Sequence, residues 1–273
     1  MTAYKIPLFA FIARKGGVGK STCATLISRI YAQNGLQVAV VDCDPQGTTT
    51  QALQTEEQQD SETTEHFGKA LCAGASLTHL LRPTFEENLR LIPAAESLTV
   101  YADILNNDKM GVFKVKQSLE SLQDCGADIV IVDTPGNYGV FTFGALSAAS
   151  WAVVPTFCQK PSAREVPKAL EAIREAKALN PELELLGVIA GNLDARTKHE
   201  LGVLETLRLA FGEKLVEPPI PKATAITNAM EPGVPLYGNN QGVPALVAVA
   251  EELLTRHSAA VDAGDATKVR HAG

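Results

Sequence analysis

The chain has 273 residues, a formal net charge of −7, 45% hydrophobic and 20% charged residues. That balance fits a globular protein with one large core, and it excludes a disordered chain or one that coats nucleic acid over its whole surface. No apolar run approaches the roughly 18–20 residues that cross a bilayer, and no secretory leader is expected ahead of the first strand.

The pattern from the N-terminus is strand, glycine loop, helix. Phe9-Ala10-Phe11-Ile12-Ala13 is a short apolar run that reads as a buried strand. Lys15-Gly16-Gly17-Val18-Gly19-Lys20-Ser21-Thr22 follows. It fits G-x-x-x-x-G-K-[ST] with Arg14 in the first glycine slot. Backbone N–H groups of such a loop point inward at phosphate oxygens. Lys20 then reaches the β/γ-phosphates, and the Ser21 hydroxyl reaches Mg²⁺. Lys15 is not needed to cradle the phosphates of its own chain. Cys23, Leu26, Ile27, Ile30 and Tyr31 recur at helical spacing, and Gly35 ends that helix. The helix N-terminus so placed favours anions.

Val38 to Val41 form a second strand, leading into Asp42-Cys43-Asp44-Pro45-Gln46-Gly47. Residues 55–66 are acidic, lack apolar periodicity and read as an exposed loop or ragged helix end. Leu77, Leu80 and Leu81 suggest a short helix closed by Pro83. Leu89–Ile92 is a strand ended by Pro93, and residues 98–124 read as one helical stretch. Ile129-Val130-Ile131-Val132 is nearly all apolar, as for a strand covered on both faces, and it delivers Asp133. Trp151–Val154 is a strand with Pro155 at its end. Residues 162–178 are helical, Leu185–Ala190 form a strand, and a helix runs from after Thr197 to about Phe211. Residues 218–221 are extended. Leu246, Val249, Ala250, Leu253 and Leu254 mark a helix from Pro244 to His257, and a frayed tail is expected from Ser258.

Strands alternating with helices predict an α/β fold with a mostly parallel twisted sheet and helices on both faces. Residues 1–257 form one domain in this reading, and 258–273 a flexible tail. The five cysteines (Cys23, Cys43, Cys72, Cys125, Cys158) contain no C-x-x-C pair, so they read as free thiols of a cytosolic protein.

The glycine loop, Asp42/Asp44 and Asp133 all fall at strand C-termini, where ligands bind in open α/β sheets. Asp133 ends an apolar strand, the usual place for a carboxylate that holds Mg²⁺. Asp44 is the candidate for orienting an attacking water. KGGVGKST, VVDCDPQGTTT and IVIVDTPG resemble three motifs of the ParA/Soj branch of the ParA/MinD ATPases: the deviant Walker A loop, the acidic motif after it, and the metal-aspartate strand. LDARTKHELGVLETLRLAFGEKLVEPPIPK resembles the C-terminal half of that branch, so the likeness spans about residues 8 to 255.

The resemblance implies a P-loop ATPase that uses ATP and Mg²⁺ and dimerises face to face around its nucleotides. Lys15 is then the signature lysine reaching the partner's phosphates. Gly16, Gly17, Val18, Gly19, Lys20, Ser21 and Thr22 hold the chain's own ATP, and Pro221 is a further residue of that site. Ser21 and Asp133 serve the metal, and Asp44 the water. The dimer binds nonspecific DNA through Arg196 and Lys222, a centromere-bound or adaptor protein stimulates hydrolysis, and plasmid, chromosome or other cargo moves over the nucleoid. Ala225 or Ile226 stands where a second basic residue is expected after Lys222, which implies a weaker or shifted DNA surface; Lys198 and Lys214 are candidates to compensate. Two alternatives stay open. One is a MinD-like or other cargo-positioning ATPase that does not act on DNA, although Glu251 and Glu252 disfavour a membrane-binding terminal helix. The other is a small-molecule ATP-dependent ligase of the same fold.

Overall fold

The computed structural model describes residues 6–54, 61–236 and 242–270. One sheet holds β1 (Leu8–Phe11), β2 (Val38–Asp42), β3 (Arg82–Pro83), β4 (Leu89–Ile92), β5 (Ile129–Asp133), β6 (Trp151–Phe157), β7 (Glu184–Gly191) and β8 (Leu215–Val216). Their order across the sheet is β3-β4-β2-β5-β1-β6-β7-β8. Every neighbouring pair is parallel except β3–β4 at the edge. The central strands are apolar on both faces because helices cover both. Along β1, Leu8 and Ala10 enter one core, and Phe9 and Phe11 enter the other.

The first core is closed by α3 (Ser61–Ala73), α4 (Leu98–Asn106), α5 (Gly111–Glu120), α6 (Val140–Ala148), α8 (Val166–Ala176) and α9 (Lys198–Phe211). The second lies under α1 (Lys20–Gln33) and α11 (Val243–Arg270). Three short helices sit at the strand ends: α2 (Thr48–Leu53), α7 (Lys160–Ala163) and α10 (Thr224–Asn228). Register decides the site. Phe11 and Asp42 are both aligned with Asp133, so β1, β2 and β5 end at one level. Everything that follows those three strands opens onto the same edge.

The structure departs from the sequence reading in a few places. The stretch 98–124 is two helices, not one. Asp108 makes a turn by accepting the Met110 N–H at 2.9 Å, and Gly111 packs where a side chain would strike the Leu105 carbonyl. β6 runs through Pro155 to Phe157; at Pro155 it pairs with β7 alone, so the other flank needs no ladder bond there. Leu77–Leu81 contains only a 3₁₀ turn, Thr78–Leu80, before β3. α3 takes in the end of the acidic segment from Ser61, while 55–60 lie outside the described residues. α11 continues past His257 through Arg270, in place of a frayed tail from Ser258; the added stretch is alanine-rich and has no proline to stop it. Cys23, Cys43 and Cys158 are buried, Cys72 and Cys125 partly so, and all are free. Among the described residues no helix is long and apolar enough to cross a membrane.

Candidate functional site

After β1 the chain leaves the sheet and exposes Arg14, Lys15, Gly16 and Gly17, then buries Val18 and enters α1 at Lys20. Gly17 and Gly19 have φ of 71° and 87°, a left-handed backbone that side chains resist. A Cβ on Gly16 or Gly17 would meet nothing within 4 Å. Their backbone therefore faces open space that a ligand can enter. No side chain caps the N-terminus of α1, so its first N–H groups remain for an anion. The loop borders a cleft of about 790 Å³ that also takes in Ser21, Thr22, Asp44, Thr99, Asp103 and Asn106.

Lys20 is buried at the floor of this cleft. Its Nζ lies 2.7 Å from Asp133 Oδ1 and 3.7 Å from Asp44 Oδ2. Burial alone would lower its pKa; the Asp133 carboxylate, with help from Asp44 and Asp42, outweighs this and holds it above the usual value. Asp133 is fully buried, and its second oxygen accepts the Thr49 hydroxyl at 2.7 Å. Thr49 in turn accepts from Thr25 of α1 at 3.1 Å.

Asp42 and Asp44, two residues apart, have different surroundings. Asp42 is fully buried and is absent from the cleft wall. It accepts the Asp44 N–H at 3.0 Å and both the N–H and hydroxyl of Thr50 at 2.8 Å. Burial, then the charge of Asp133, pushes its pKa up to about 7. Asp44 is half-buried on the cleft and accepts the Gln46 N–H at 3.1 Å.

These residues suit a nucleoside triphosphate with Mg²⁺. The open glycine backbone matches a phosphate chain, Lys20 supplies a buried cation, and Ser21 supplies a hydroxyl on the cleft. Pro221 lies on the far side of the loop. It lines a smaller cavity of about 120 Å³ with Val18, Gly19, Thr22, Phe157 and Asn192. Arg29 of α1 fixes the chain beyond that cavity. Its guanidinium is buried, pairs with Glu86 at 2.7 Å and donates to the carbonyls of Ala229 and Val234 at 2.7 and 2.8 Å.

Arg196 and Lys222 share a third cavity of about 670 Å³, with Asn192 and Ala225 on its wall. Both line this cavity, but not as two free cations. Arg196 is 90% exposed, yet its fork grips Asp194 at 2.9 and 2.8 Å. Arg196, and more weakly Lys222, holds the Asp194 carboxyl down to about 2. Lys198 follows Arg196 at the start of α9. Lys214 cannot compensate there: its Nζ donates to the Leu185 carbonyl at 2.9 Å, at the opposite end of β7 from Asn192.

Sequence reasoning misses Thr49, Thr50 and the α4 wall of the site. The threonine run after Gly47 is a usable signal for the first two. Nothing local marks Thr99, Asp103 and Asn106, which reach the cleft only through the fold.

A family model described as an AAA domain matches residues 7–185. The chain is 30% identical over 230 residues to the sporulation initiation inhibitor protein Soj of Bacillus subtilis, covering 84% of this chain and 89% of the relative. It is 31% identical over 260 residues to the chromosome-partitioning ATPase Soj of Thermus thermophilus, covering 94% and 98%. A solved structure described as cobyrinic acid a,c-diamide synthase from Mycobacterium smegmatis, with bound ATP analogue and magnesium, superposes with a TM-score of 0.77 at 28% identity, covering 92% of this chain and 96% of that one. The family match covers well over half of the chain and contains the glycine loop, Asp44 and Asp133, so the chain belongs to the ParA/Soj-like branch of the ParA/MinD superfamily and is an ATPase that uses ATP and Mg²⁺.

Proposed function

We propose that this ATPase is of the partition type. ATP and Mg²⁺ bring two copies together face to face, and the dimer holds nonspecific duplex DNA. A centromere-bound or adaptor protein then stimulates hydrolysis and release, moving plasmid, chromosome or other cargo over the nucleoid. The observation that carries this reading is the contrast between the two lysines of the loop. Lys20 is buried and committed to carboxylates. Lys15 is exposed at the cleft and has no ion pair among the described residues. In this reading a cation on the open side of a phosphate site meets the phosphates of a second copy.

The chain's own residues divide the work as follows. Gly16 to Thr22 hold the phosphates, with Lys20 exchanging Asp133 for phosphate oxygens. Ser21 would hold the metal, and Asp133, buried behind Lys20, would support it. Mg²⁺ when bound offsets the charge on the β- and γ-phosphates. Asp44 orients the attacking water, and Pro221 borders the base. Lys15→Gln is expected to keep ATP binding by the monomer while abolishing the ATP-dependent dimer, with hydrolysis down at least about tenfold. Light scattering with and without ATP checks this; a variant that dimerises like the wild type removes the role across the interface.

The DNA surface in this reading is Arg196 and Lys222, doubled by dimerisation. Asp194 offsets one of its charges, so affinity is modest and strongly salt-dependent. Arg196→Ala and Lys222→Ala each weaken duplex binding and lower the salt slope by about one for each phosphate no longer neutralised. Asp194→Asn keeps an acceptor for the Arg196 N–H but frees the fork, and binding tightens. Anisotropy of a labelled duplex at several salt concentrations, with ATP and Mg²⁺, is the measurement. A dimer that retains no DNA sinks the track.

The likeness to a solved structure described as a diamide synthase favours one second reading, an ATP-dependent ligase of a small carboxylic acid. The two separate on what accelerates hydrolysis. Duplex DNA or a protein partner does so in the first, and a metabolite with an amine donor does so in the second. A membrane-cycling role is weaker. The polar face of α11 exposes Glu251, and its Arg256 is paired with Glu252 at 2.8 Å.

A further inference from the structure

Hydrogen bonds and a short stretch of backbone link the strand ends to the far wall of the cleft, and Thr50 joins the two. Its hydroxyl donates to Asp42 Oδ2 at 2.8 Å and accepts the Ala94 N–H at 2.8 Å. The other oxygen of Asp42 accepts the Asp44 N–H. Beyond Ala94 the chain turns into α4, whose Thr99, Asp103 and Asn106 line the cleft. Asn106 then accepts the Val140 N–H at 3.1 Å, which ties α4 to the segment after Asp133. Thr49, next in sequence, holds Asp133 itself. α2 therefore grips both strand-end carboxylates with adjacent hydroxyls. Thr49 takes the one paired with Lys20, and Thr50 the one that fixes the backbone of Asp44.

We infer that Thr50 is a positioning residue for hydrolysis, setting the backbone of Asp44 through Asp42 and holding the α4 wall through Ala94. The inference rests on the water-orienting role given to Asp44 above. The geometry supports it in three ways. Thr50, Asp42 and Ala94 are all buried, so each bond is made where water does not compete. The Thr50 hydroxyl bonds to Asp42 and Ala94 rather than to the glycine loop or Lys20, so its removal leaves phosphate binding intact. That hydroxyl uses both donor and acceptor capacity, which valine of the same shape cannot do.

The test compares Thr50→Val, Thr50→Ser and Asp44→Ala. Three quantities are read: kcat and KM for ATP, calorimetric affinity for a non-hydrolysable ATP analogue with Mg²⁺, and exchange of the Ala94 amide without nucleotide. Thr50→Val is expected to lower kcat by about tenfold or more, with analogue affinity close to wild type and the Ala94 amide exchanging faster. Thr50→Ser restores all three, because it returns the hydroxyl. A folded Thr50→Val with wild-type kcat overturns the inference. So does a fall in kcat matched by an equal fall in analogue affinity, which is the signature of general damage. If Asp44→Ala is slow while Thr50→Val is not, this inference alone fails. If Asp44→Ala hydrolyses like wild type, the water-orienting reading fails and takes this one with it.

Discussion

Lys20→Ala is expected to abolish tight ATP binding. A hydrogen bond to a charged group is typically worth about 1.5–3 kcal/mol, and Lys20 is the buried cation of the cleft. Affinity measured by calorimetry should fall by at least about tenfold. The variant carries a second cost. Asp133 is fully buried, and Lys20 is its counter-ion at 2.7 Å. Removing one partner of a buried pair destabilises by about 3–5 kcal/mol. Thermal unfolding should therefore shift down even without nucleotide. Lys20→Gln lessens the second effect, since an amide still donates to Asp133, but it brings no charge to phosphate. A Lys20→Gln protein with wild-type stability and wild-type ATP affinity would remove the phosphate-loop assignment.

Asp44→Ala should do the reverse, sparing binding and stopping turnover. Asp44 lines the cleft, and its carboxylate stands 3.7 Å from Lys20, so it carries the weaker share of that charge. In the proposed mechanism Lys20 turns to phosphate, which would leave Asp44 at the cleft to orient a water. Positioned groups of this kind contribute about 10²–10⁴ in rate. Single-turnover hydrolysis should fall into that range while ATP remains bound, and the protein should accumulate as an ATP-bound dimer by light scattering. Failure to bind ATP would instead mark Asp44 as structural. Asp42 is the control. It already has three donors on its two oxygens and no face on the cleft, so its substitution should disturb α2 and the fold first.

Much of this site is legible in the chain because its core is local. A glycine loop between a buried strand and a helix forces the backbone inward at one point, and the run from Lys15 to Thr22 supplies the open glycine backbone and Lys20 together. Strands at 38–41 and 129–132 are legible from their apolar runs, and each leads into an aspartate; parallel pairing then makes their ends coincide. What the chain does not disclose depends on contacts between distant segments. Lys20 and Asp133 are separated by 113 residues, and their pairing shows only in the folded protein. Thr50 meets Ala94 across 44 residues. Asp42 and Asp44 look equivalent in sequence, yet burial turns one toward α2 and leaves the other on the cleft.

The basic face makes the same division. Arg196 and Lys222 are both visible as cations in the sequence, and the fold brings them to one cavity. Asp194, two residues before Arg196, is equally visible, but only side-chain geometry shows it filling the guanidinium fork. Lys214 reads as one more charge of the same kind, and the fold carries it to the other end of β7. Sequence alone determined the glycine loop and the two acidic strand ends, because short-range backbone geometry and apolar patterning impose them, and its motifs carried the likeness to the family. The tertiary structure decided which carboxylate faces the cleft, which loop lysine lacks an ion pair among the described residues and which charges cancel, because those depend on burial and on distances between segments far apart in the chain.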